Sequence, residues 1–135
     1  SSSSKSTNLE QGYRYYAGTI GSSKARLVYW PNGSEGEAQN QEFFDGLYVL
    51  EGQTTEPERL TISFTSGGHF VASGYKVVQG KNQSTTVRFE STEECDGANE
   101  EGKLCGEVKM ASGKTMQFNF LKTEKFVIED YFKKK

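Results

Sequence analysis

Hydrophobic residues in this chain recur at every second position, and that period decides what it can fold into. In "TMQFNF", Met116, Phe118 and Phe120 fall on one side and Gln117 and Asn119 on the other. "RLTISF" groups Leu60, Ile62 and Phe64, and "TTVRFE" groups Val87 and Phe89. "KARLVYW" sets Ala25, Leu27 and Tyr29 on one face and Arg26, Val28 and Trp30 on the other. Successive side chains of a strand point to opposite faces, so each segment can bury one face and wet the other, the signature of antiparallel sheet. Gly, Asn and Ser break the alternation at 21–23, 31–36, 66–68, 79–83 and 111–114. Asn32-Gly33 and Ser112-Gly113 are turn dipeptides, because Asn and Gly tolerate positive φ. Strands are expected at 13–20, 24–30, 42–50, 59–65, 69–78, 84–91, 103–111 and 115–122. Short consecutive strands with tight turns imply an all-β, antiparallel up-and-down meander, and about eight strands can close into a small barrel. A β-sandwich of two sheets is the alternative.

With 135 residues the chain is one domain, able to bury roughly two-thirds of its unfolded surface. Only 33% of it is hydrophobic, but 13% is aromatic, so the core can be built from few, large side chains. Residues 1–11 are polar and serine-rich and read as a flexible linker ahead of a barrel domain over 12–135. A serine-rich start also follows the lipid-bearing cysteine of bacterial lipoproteins, so an N-terminal lipid anchor stands beside an ordinary frayed terminus. The net charge of -2, with no basic stripe, argues against nucleic acid as a partner. No apolar run has the length of a membrane span. The tail "TEKFVIEDYFKKK" fits a ninth, closing strand or a short helix over a barrel mouth, with Lys133, Lys134 and Lys135 as a solvated end.

The two cysteines, Cys95 and Cys105, flank a Gly-containing polar loop. That spacing suits a disulfide beside a hairpin, and so a periplasmic, cell-surface or secreted protein. Two free buried thiols are the competing reading. Two Cys and a single His do not make a structural zinc site, and a redox pair prefers Cys-x-x-Cys. The same loop carries Glu93, Glu94, Asp96, Glu100 and Glu101. "DGANEEG" does not follow the EF-hand spacing, and a polar loop is a poor place to desolvate one acid of a glycosidase pair. What remains is a solvated charged loop or an acidic finger, held out by the disulfide, that docks on a basic protein.

His69, at a turn, is the only classical base, and no G-x-S-x-G elbow, phosphate loop or cofactor motif occurs. The expectation is therefore a binding protein, not an enzyme. The aromatics Tyr15, Tyr29, Trp30, Phe44 and Tyr48 either fill the core or line a cup for a small apolar ligand. Tyr13 and Tyr15 share a face and Tyr16 takes the other, while Trp30, just before Pro31, is placed at a turn on the rim.

"YYAGTIGSSKARLVYWPNG", "FFDGLYVLEG" and "LCGEVKMASGKTMQFNFLK" together resemble a broad group of secreted or envelope-associated bacterial β-barrel domains. The resemblance runs from Tyr15 to Lys122 and rests on turns and strand packing; the acidic loop lies outside it. "VASGYK" resembles the Ser-Gly loops of periplasmic lysozyme inhibitors, although its tyrosine spacing departs from their inhibitory motif. That likeness implies a binding loop at Ser73, Gly74 and Tyr75. Two functions are expected: a protein-interaction module, such as an inhibitor of a basic hydrolase like lysozyme, or a lipocalin-like carrier of a small apolar ligand.

Overall fold

A computed structural model describes residues 12–35, 42–53 and 57–131. The eight strands are β1 (Arg14–Ile20), β2 (Ser23–Glu35), β3 (Glu42–Leu50), β4 (Glu58–Thr65), β5 (His69–Val78), β6 (Lys81–Glu90), β7 (Lys103–Lys109) and β8 (Thr115–Lys122). Each pairs antiparallel with the next, and β8 returns to β1, from Tyr16 opposite Lys122 to Ile20 opposite Phe118. That last ladder makes the molecule a closed barrel rather than a sandwich. Gly18 lies in this seam, where a β-carbon would collide with the backbone carbonyl of Asn119, so only glycine lets β1 and β8 approach.

The inward positions form a continuous run of rings. Tyr16 meets Tyr29 at 5.7 Å between centroids, Tyr29 meets Phe44 at 5.2 Å, and Phe44 meets Phe64 at 5.5 Å. The run continues through Phe70 at 5.3 Å, Phe118 at 6.1 Å, Phe89 at 5.2 Å and Tyr48 at 5.1 Å. Ile20, Leu27, Leu60 and Ile62 fill between them and are shut off from water. Burying each such side chain contributes roughly 1.5–3 kcal/mol. The few hydrophobic residues suffice because so many are large.

Strands β1 to β3 are apolar on their outer face as well. Tyr15, Val28, Trp30, Leu47 and Val49 form a second cluster, covered by Phe126, Ile128 and Tyr131 of the C-terminal segment. The segment is fastened by Thr123 N–H donating to the Tyr15 carbonyl and Gly52 N–H to that of Tyr131, each at 2.9 Å. Arg26 lies over the rings of Tyr131 and Phe126, at 4.4 and 5.3 Å, and is tethered by Glu51 at 3.2 Å. So the tail is neither a ninth strand nor a cap over a mouth. Its described residues, 123–131, form a strap down the outside that includes a 3₁₀ turn at Ile128–Tyr131.

Three local expectations change. Trp30 and Pro31 lie within β2, opposite Asp45 and Phe44, not at a rim turn. Trp30 faces outward and stacks on Tyr13 at 5.0 Å. β2 runs through Asn32-Gly33 to Glu35, with the break in its pairing to β3 falling between Pro31 and Glu35. The stretch expected as a turn at 79–83 tightens to Gln79-Gly80, both at positive φ, and β6 starts at Lys81. The 1–11 linker and the final lysines lie outside the described residues.

Candidate functional site

The β6–β7 connection, residues 91–102, is built as a fixed platform. Two short 3₁₀ turns, Glu93–Cys95 and Ala98–Glu101, are joined at Asp96-Gly97. Cys95 is disulfide-bonded to Cys105 on β7, with the Cα atoms 5.6 Å apart. Gly97 N–H donates to the Gly68 carbonyl at 3.1 Å, which ties the loop to the β4–β5 turn. Lys122 N–H donates to the Gly102 carbonyl at 2.7 Å, which ties it to β8.

The fourth fastening is a side-chain clasp. His69, the first residue of β5, places Nδ1 2.8 Å from Asp96 Oδ1 and Nε2 2.9 Å from Glu90 Oε2. Ser91 is buried beneath, accepts from the Phe70 N–H at 3.0 Å and donates to Asp96 Oδ1 at 2.6 Å. Carboxylates only accept, so the imidazole must carry a proton on each nitrogen to satisfy both. The hydrogen bonds to Asp96, then to Glu90, accordingly raise the His69 pKa above its usual value. Those from Ser91, then His69, lower that of Asp96. The set contains Ser, His and Asp, and Ser91 Oγ also lies 3.1 Å from His69 Nδ1. Ser91 gives its proton to Asp96, and both His69 nitrogens face carboxylates.

Five acidic residues thus divide by role. All five are exposed, but Asp96 is paired with His69 in the clasp, whereas Glu93, Glu94, Glu100 and Glu101 form no ion pair among the described residues. The loop is therefore not a finger held out by its disulfide alone. It is drawn back against the barrel end, because Asp96 finds a cation and a hydroxyl there. Sequence reading missed His69 and Ser91; their one signal was a lone His at a turn, which says nothing of a partner 27 residues on.

Ser73, Gly74 and Tyr75 do not form a loop. They lie in β5, paired with Thr61, Leu60 and Arg59 of β4, and the β6 register shifts opposite Gly74. A β-carbon on Gly74 would collide with Thr85 Oγ1 and come within 2.7 Å of Glu58 Oε1. The glycine leaves space for a polar knot at the far end of the barrel, where Thr85 and Tyr48 donate to the Glu58 carboxylate at 2.8 and 2.9 Å. Burial, then the Glu58 charge, raises the Tyr48 pKa far above the phenolic range.

The five aromatics proposed for a ligand cup are not brought together. Tyr29, Phe44 and Tyr48 are buried in the ring stack, while Tyr15 and Trp30 face the opposite way under the strap. Among the described residues no group of three His, Cys, Asp or Glu side chains could hold a metal ion. No helix among them is long and apolar enough to cross a membrane.

No protein-family model matches the chain, and neither does any curated protein or solved structure. The coordinates define its class: a small closed up-and-down β-barrel with a ring-packed interior. One disulfide fixes an acidic loop beside one mouth, and such a bond suggests an oxidising compartment.

Proposed function

We propose that this is a non-enzymatic binding module of the bacterial cell envelope or secretome that presents the 91–102 loop to a basic protein partner. A basic hydrolase such as lysozyme has the right chemistry. One observation carries the reading: four unpaired, exposed carboxylates stand on backbone already fixed at four points. A platform ordered before encounter loses little entropy on binding, and its field steers a cationic partner toward it. The carrier reading has less support, because contacting rings occupy the interior where an apolar ligand would sit.

The test is capture of a basic lysozyme by the wild-type chain and by a variant carrying Glu93→Lys, Glu94→Lys, Glu100→Lys and Glu101→Lys. Capture should be strong at low salt, fade as salt rises, and vanish in the variant while its near-UV circular dichroism is retained. Equal capture by the two chains at low salt would sink the proposal.

A further inference from the structure

At the mouth beside this loop the barrel leaves a cleft of about 490 Å³, whose walls include Arg14, Tyr16, Asn99, Glu100, Glu101 and Lys122. Arg14 is the outermost inward-facing residue of β1, where the ring stack gives way to water. Its guanidinium lies over Phe44 at 5.2 Å and Tyr29 at 5.8 Å. One of its five N–H groups is spent on the Gly12 carbonyl at 2.8 Å, and it has no ion-pair partner among the described residues. Tyr16, whose ring packs against Tyr29 at 5.7 Å, lines the same cleft. The Asn99 side-chain oxygen is buried and has no hydrogen-bond partner among the described residues. Buried polar groups are ordinarily satisfied, so this idle acceptor, on a cleft that also holds an unpaired cation, asks for an outside partner that brings an N–H.

We propose that this cleft binds a carboxylate, held by the Arg14 guanidinium and the Tyr16 hydroxyl. The planar N–H fork of arginine matches the two oxygens of a carboxylate, and a phenol O–H supplies a further donor. Lys122 adds positive charge on the same wall. Glu100 and Glu101 on the rim repel a dianion such as phosphate and favour a monoanion that carries an amine or amide N–H nearby. The cleft is of a size that takes a small ligand or the end of a chain. The source of the carboxylate is therefore a small organic acid or the C-terminus of a peptide. The site does not depend on capture of a basic protein by the outer loop.

The experiment is an NMR titration of the full chain with three probes: benzoate, an N-acetylated tripeptide with a free C-terminus, and the same tripeptide amidated. Saturable shifts at Arg14 Nε–H, Tyr16 and Asn99 are expected with a carboxylate probe and not with the amidated one. Benzoate binding as tightly as the tripeptide makes the ligand a small acid; tripeptide binding alone makes it a chain terminus. Tyr16→Phe removes one oxygen atom without altering the packing, and Arg14→Gln removes the charge. Losing a charge-assisted hydrogen bond should weaken binding roughly tenfold or more in each. Absence of saturable shifts with both carboxylates, or unchanged binding in both variants, would overturn the site.

Discussion

Replacing Cys95 and Cys105 with alanine removes the one covalent fastening of the 91–102 loop, and the cost follows from the length of chain it closes. The two residues are 10 apart in sequence. Chain-entropy reasoning gives about 2.7 kcal/mol for so short a loop, released into the unfolded state. The folded state should change little, because the His69–Asp96 clasp and the Gly97–Gly68 hydrogen bond still hold the loop down. With a urea slope of roughly 1–3 kcal/mol per molar for a domain of this size, the midpoint should fall by about 1–3 M. Trp30, the single tryptophan, lies under the strap, and its fluorescence reports loss of the barrel. His69→Gln should then cost more in the disulfide-free chain than in the intact one, since the two fastenings share one loop. A loss below about 1 kcal/mol, well short of the loop-entropy value, would refute the reasoning.

Three further outcomes are expected. Gly74→Ala pushes a methyl into the Glu58–Thr85 contact and should cost about 1–3 kcal/mol by overpacking, read by urea unfolding; an unchanged midpoint would mean the knot can yield. Ile128→Ala opens the buried end of the strap, costing about 2 kcal/mol and raising dye binding to the uncovered face, whereas unaltered dye binding would show the strap holding without it. The clasp has a pH signature with two limbs. His69 has a raised pKa, so its contribution is complete below 6.5 and is lost as pH climbs through the raised folded value. Asp96 has a lowered pKa, so its contribution is present above 3.8 and is lost as pH falls through the lowered folded value. The stability gap between wild type and His69→Gln should therefore be widest between these limits and close at alkaline pH. A gap that is constant across that range would contradict the clasp.

Much of this architecture can be read before any coordinates. The alternation in "TMQFNF" and "RLTISF" places Phe118, Phe120, Leu60 and Ile62 inside, where they are found. The split of Tyr13 and Tyr15 from Tyr16 holds for the same reason, since a strand has only two faces. Errors gather where a local signal was outvoted by a distant one. Asn32-Gly33 is a strong turn dipeptide, yet it stays in β2, which runs to pair Glu35 with Glu42. "SGY" looks like a loop and is strand, because Gly74 makes room for a carboxylate from another strand.

The sequence by itself determined the eight strands, their faces and the covalent loop, because period-two patterning and cysteine spacing act over a few residues and need no partner. Tertiary structure alone decided that Asp96 pairs with His69, that the tail runs down the outside, and that Arg14 and Tyr16 meet Asn99 at one mouth. These contacts join residues 27 to more than 80 positions apart, once β8 has closed on β1. No local pattern encodes them: closure sets which chain ends share a mouth, and the charges and rings gathered there then choose their partners.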